Sequence, residues 1–422
     1  MRRLYSRLAA LDSLRGFGIL LVVLGHTSWS AGLVSWIFSF HMPLFFIISG
    51  MLFHERQFLD SFKRKAIRLL VPYVFFGTVT LAYWALIERR LRGDEGSVPN
   101  ALANIVLARA GSNNYPQNAA LWFLPCLFVT EMLFLGFFLL VNKTGSVETK
   151  TVMGGGWRNR IAVMALALVS FLSIIVMWSL DLPVDQFRLP WAFDILSFSM
   201  LFYCIGYLLS EFILPHVQQA SQTQALAHIA FAVVGVAGLY LLWLFDGWTK
   251  LEVNLNGAST NNPFWMLCAA MLGFASSLML CVAIDCRLLQ FLGRASLTIM
   301  CVHEPVKRVL IFVMAKILGM NTDALRANLV YAMLVTVVTV AICVAVHLIM
   351  DRFAPVLIGS SRHNLASQGK ARQGHDGRTF AVGIIVAMER RFVVVMPVRS
   401  RHLDFALPVN CIHQQWWCQC DR

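Results

Sequence analysis

Three ionisable residues stand inside two apolar runs near the start of the chain. Arg15 and His26 lie in LDSLRGFGILLVVLGHTSW, and His41 lies in FSFHMPLFFIISGMLF. An ionisable group within hydrocarbon costs about 3 kcal/mol or more, so such residues face a bundle interior or a wet cavity and mark functional sites. Histidine takes up and returns a proton near neutral pH, and a guanidinium meets phosphate or carboxylate with a rigid fork of donors. Arg15 and His26 are eleven residues apart, three helical turns plus about 20°, so they share a helix face and are separated by about 16 Å along its axis. The spacing puts the arginine at the membrane surface and the histidine near half depth, on a path from surface to interior. His41 is twelve residues from Phe53 on the returning segment, about 18 Å deep and level with His26. Plainer readings stand beside these: a histidine bonded to a neighbouring helix carbonyl, or an arginine snorkelling to the interface.

The elements that must position these residues are membrane helices. The chain has 422 residues, 58% hydrophobic and only 14% charged, which excludes a soluble globule. The expected fold is all-α, a polytopic integral membrane protein of about ten transmembrane helices at 14–31, 34–53, 69–87, 120–141, 161–180, 192–212, 226–245, 263–284, 295–318 and 327–350. The first run follows MRRLYSR without an A-x-A-like cleavage site and reads as a retained span. Loops on the side of the N-terminus carry about twice as many Lys and Arg as those opposite, which puts both termini in the cytoplasm. The weak points are Ile213–Gln224, without Lys or Arg, and a span or re-entrant segment near Ala101–Arg109. The net charge of +13 resides in short basic loops and a basic tail and does not indicate nucleic acid. No internal repeat of the kind that builds many transporters is apparent.

Residues 1–353 form the expected transmembrane domain and 354–422 a basic, disordered tail of unknown role. GSVETKTVMGGGW reads as a flexible linker. Ten cysteines are scattered, many in apolar runs, and imply no disulfide framework. The terminal CIHQQWWCQC matches no standard zinc spacing, and no metal is expected.

Several blocks in order resemble the membrane-bound acyltransferase-3 family: LDSLRG leading into R-GFGILLVVLG-H, then FSFHMPLFFIISGMLF, KRKAIRLLVPY, LWFLPCLFVTEM and LGRASLTIMCVHEPV. The second block is most similar to the fucose 4-O-acetylase-like branch, whose members O-acylate bacterial glycans. The resemblance covers residues 8 to about 353. It implies a multi-pass enzyme of the bacterial inner membrane that moves a short acyl group, acetyl first among the options, from acyl-CoA to a hydroxyl of a cell-envelope or exported glycan. Its partners would be acyl-CoA, a carbohydrate acceptor and the bilayer. Under that reading His26 is the general base, Arg15 orients or binds the donor, and His41 supports the site. Lys63, Arg64 and Arg68, with Arg15, would meet the phosphates of the donor, or act only as topology determinants. Trp122 is a stacking platform or a belt anchor. Glu131 lies well inside span four, and Ser296 and His303, two turns apart, could line a cavity through which acyl transfer crosses the membrane. The rival reading is a transporter or flippase for glycans or lipid-linked sugars, in which the same residues relay protons.

Overall fold

The computed structural model describes residues 2–92, 96–109, 116–143, 154–180, 188–220, 225–284 and 286–359. Most of the linker, parts of the 88–119 segment, and the expected tail from residue 360 onward, including CIHQQWWCQC, lie outside the described residues.

Helices account for nearly every element. The first are α1 (Arg2–Thr27), α2 (Ala31–Phe38), α3 (His41–Met51), α4 (Phe58–Lys65) and α5 (Val71–Tyr83). The next are α6 (Arg89–Arg92), α7 (Val98–Val106), α8 (Phe123–Lys143), α9 (Gly154–Ser179), α10 (Leu196–Ala220) and α11 (Ala225–Thr249). A two-residue hairpin, β1 (Val253–Asn254) and β2 (Ser259–Thr260), pairs Val253 with Thr260 before α12 (Pro263–Ala283). The last are α13 (Arg287–Leu318), α14 (Thr322–Ala327) and α15 (Leu329–Phe353). Among the described residues, nine helical stretches are long and apolar enough to cross a membrane. This is an all-α polytopic membrane protein.

The ninth expected span, 295–318, is α13 and is not among these nine. Arg294, His303, Glu304, Lys307, Arg308 and Lys316 make it too polar to qualify by composition, yet its 32 residues give about 48 Å of helix. It runs parallel to α1: Gly16 meets Leu289 and Gly293 at one end, and Lys307 and His26 meet at the other. The ionisable groups His303, Glu304 and Lys307 are admitted because they are buried against protein, whereas Arg294 and Lys316 are exposed nearer the helix ends. By contrast, α9 and α11 expose Leu168, Val169, Val233 and Val236, the surface expected against acyl chains.

Three local features differ from expectation. The segment bearing Lys63, Arg64 and Arg68 is not a loop: α4 and a π-helical turn at Ala66–Leu70 join α5, making a stretch long enough to span from Phe58 to Leu91. The segment near Ala101–Arg109 is the nine-residue helix α7, about 13 Å long and too short to cross. The second span is broken between α2 and α3. Pro43 lacks the N–H that the Ser39 carbonyl would need to continue the helix, and Phe40 turns out of helical conformation at φ −139°.

Candidate active site

α1 ends at Thr27, so His26 stands in its last turn. The apolar stretch of α1 runs Ala9–Thr27 rather than the expected 14–31, so the histidine stands near the end of its helix rather than midway along it. Its place is fixed through the backbone. Lys307 Nζ donates to the His26 carbonyl at 2.9 Å and Arg326 Nη2 donates to the same oxygen at 3.0 Å. Arg326 Nε donates to the Thr27 carbonyl at 3.1 Å. Two cations thus satisfy the orphan carbonyls at the negative end of the helix dipole. The Arg326 guanidinium, in the short helix α14, also stacks on Trp29 at 4.1 Å.

Around the imidazole the side chains form a chain of contacts. Glu304 Oε2 is 3.8 Å from His26 Nδ1 and accepts from Lys307 Nζ at 2.7 Å. The His303 ring lies 5.4 Å from that of His26, centre to centre. Phe38 sits between the two other imidazoles, 5.9 Å from His26 and 5.0 Å from His41. His41 Nδ1 donates to the Ile37 carbonyl at 2.8 Å, and His303 Nδ1 donates to the carbonyls of Ile299 and Met300 at 3.0 and 2.9 Å. A carbonyl only accepts, so in both rings the proton is on Nδ1 and the lone pair on Nε2. The Glu304 carboxylate stands near Nδ1 of His26, beyond hydrogen-bond distance, and gives that side of the ring a negative neighbour.

His26, His41 and Trp122 line a cavity of about 1400 Å³. Its floor is formed by Met42, His41 and Trp122, and its mouth by Lys250, Asn254, Asn256 and Asn261 in and beside the β-hairpin. Arg188 braces the hairpin through the Asn256 carbonyl while pairing with Asp194 at 3.1 Å. A polar mouth over an aromatic floor is the composition of a small-molecule pocket, and this one is larger than the 300–1000 Å³ common for such ligands.

A second polar cluster lies at the other end of α1. Asp12 faces Arg15 and Arg294, each at 3.7 Å. Lys65 Nζ bonds Glu131 Oε1 at 2.5 Å, and Arg68 and Glu131 are within electrostatic reach of Arg15. The Gly359 backbone abuts Arg68.

The structure therefore divides the expected residues into two groups. His26, His41, His303 and Trp122 gather at the cavity end; Arg15, Arg68 and Glu131 gather at the other, with Lys63 and Arg64 exposed on α4. Ser296 is half-buried and does not line the cavity; it stands about 10 Å along α13 from His303. Trp122 is buried among rings rather than placed in an interfacial belt. A cavity continuous across the membrane was expected, but no residue of the Arg15 cluster lines this one.

Glu304, Lys307 and Arg326 were not read from the sequence as partners of His26. The i, i+3 spacing of Glu304 and Lys307 inside an apolar run was a usable signal for the first two. Arg326 carried none, since it is one basic residue in a short polar connection. Ligand atoms of His26, His303 and Glu304 lie within 4.8 Å of one another, an arrangement that could hold a cation. The Lys307 ammonium already supplies that positive charge to the carboxylate.

Comparison with known proteins agrees with this architecture. The family described as an acyltransferase domain matches residues 8–348. No curated protein and no solved structure matches the chain. The match takes in both polar clusters and the described membrane-spanning helices except the first residues of α1 and the last few of α15, and the chain belongs to the membrane-bound acyltransferase-3 family.

Proposed function

We propose that the protein is an O-acyltransferase of the bacterial inner membrane, moving a short acyl group, acetyl by preference, from acyl-CoA to a hydroxyl of a cell-envelope or exported glycan. The observation that carries this reading is the His26–Glu304 pair lining a polar-mouthed cavity, about 16 Å along one helix from the Arg15 cluster. In the proposed orientation Arg15, Arg68 and the α4 cations face the cytoplasm, where the phosphates of the donor would meet them. The hairpin and the cavity mouth face outward, toward the acceptor.

In the transfer step His26 Nε2 takes the proton of the acceptor hydroxyl as the oxygen attacks the thioester carbon. The C–O bond forms, the C–S bond breaks, and the departing thiolate receives that proton from the imidazolium. Glu304, 3.8 Å from Nδ1, compensates the charge that develops on the ring. Lys307 has three N–H donors and spends two on His26 and Glu304, leaving one for the tetrahedral oxyanion.

Membranes holding the protein, labelled acetyl-CoA and a panel of envelope glycans should give labelled glycan. His26→Ala should abolish the label at equal expression. Transfer surviving that substitution removes the general-base assignment, and glycan movement without acylation replaces the enzyme by a transporter.

A further inference from the structure

Four rings close the space between the two polar clusters. Phe123 lies 5.9 Å from Phe45 and 5.1 Å from Phe46, and Trp122 lies 6.4 Å from Phe46 and 6.1 Å from Phe123. All four are buried. The layer rests on α1 where that helix offers least. A Cβ added to Gly18 would stand 3.1 Å from Cζ of Phe45, and Gly18 lies between Arg15 and His26. Its neighbours on the same side of α1, Ile19 and Val22, are buried too.

We propose that this ring layer is the passage for the acyl-bearing arm of the donor, and that Phe45 and Phe123 set the length of acyl group admitted. The inference rests on the acyl-CoA donor proposed above. Phosphates cannot follow the arm, because carrying such charge through an apolar layer costs many times the energy available from binding. The uncharged arm can. Its thioester carbon must come within about 3.5 Å of the acceptor oxygen beside His26, and the direct line from the Arg15 cluster crosses the rings. Phe45 is the ring to move, since it leans on Gly18 of α1. Once through, the acyl group lies among Met42, Phe45 and Trp122, and each added methylene must displace more ring surface.

Two measurements on the full-length protein test this. In sealed vesicles a Met42→Cys variant is treated with CoA pyridyl disulfide from the Arg15 side only, the Met42 protein serving as the blank for native thiols. Thiol–disulfide exchange would join Cys and CoA through a new S–S bond and release thiopyridone. A CoA adduct at position 42 is expected, together with its loss when Gly18→Ala wedges Phe45 in place. In the second measurement, kcat/KM is compared for acetyl-, butyryl- and hexanoyl-CoA. Phe45→Ala should raise the hexanoyl-to-acetyl ratio about tenfold, with Phe123→Ala as an independent variant should the first fail to fold. Absence of the adduct, or a ratio unchanged in both variants, overturns the passage. An adduct without acylation of any glycan leaves the passage standing and removes the proposed acceptor instead.

Discussion

Under the proposed function, Glu304 is the residue that separates His26 from a histidine merely placed at a helix end. A buried histidine needs one hydrogen-bond partner, and a backbone carbonyl suffices, as His41 and His303 demonstrate. His26 has a carboxylate beside Nδ1 instead, and that carboxylate is itself held by an ammonium. Burying three ionisable groups where one carbonyl would serve is costly for stability. The cost is explained if the imidazole must carry charge during a reaction. Glu304→Gln, which keeps shape and removes charge, should lower kcat by roughly tenfold to a hundredfold with the donor KM unchanged, a share of the 10² to 10⁴ that general base catalysis provides. A larger effect on KM than on kcat would reassign Glu304 to acceptor binding.

At the scale of elements, the site is a consequence of two parallel helices in close approach. Gly16 of α1 lies against the backbone of α13 at Leu289, and Gly293 of α13 lies against the backbone of α1 at Asp12. Small residues at such crossings let membrane helices pack closely where the hydrophobic effect gives no preference for protein over lipid. The register set there delivers Glu304 and Lys307 to the end of α1 about 16 Å away. Gly293→Val would drive a side chain into the Asp12 carbonyl and should destabilise the protein by about 2 kcal/mol or more. The check is the midpoint of thermal unfolding in detergent, together with transfer activity, which should fall with it. A full-strength enzyme with an unshifted midpoint would mean that the two helices do not meet in this register. The same packing recurs between α3 and α10, where Gly50 and Gly206 each meet the other helix's backbone.

Among the described residues, two polar clusters stand at opposite ends of α1 with a layer of buried rings between them. In the proposed orientation the α4 cations face the cytoplasm and the hairpin faces outward, so thiols placed at the two ends should differ in access. Lys63→Cys should react with a membrane-impermeant maleimide only from the cytoplasmic side, and Lys250→Cys only from outside, against the background of native cysteines. Reaction of both from the same side would invert or refute the topology. It would also break the assignment of Arg15 to the donor and the hairpin to the acceptor. Because the family match extends over residues 8–348, both ends belong to one acyltransferase unit rather than to separate modules.

Sequence by itself determined the solvent and hence the class of fold. Apolar runs near twenty residues can be satisfied only as helices in a bilayer. It also determined that Arg15 and His26 share a face, because helical periodicity is local and needs no partner. The ordered blocks that resemble an acyltransferase were likewise legible residue by residue. What only the tertiary structure decided is which groups face one another across helices distant in the chain. Glu304 reaches His26 from 278 positions away and Arg326 from 300, distances over which no periodicity speaks. The position of His26 at the end of its helix was also beyond the sequence. The end of an apolar run and the end of a helix need not coincide, and α1 stops at Thr27, where Lys307 and Arg326 take its last carbonyls. The closed ring layer belongs to the same category: four aromatic residues in two apolar runs look like lipid-facing side chains until packing turns them toward one another.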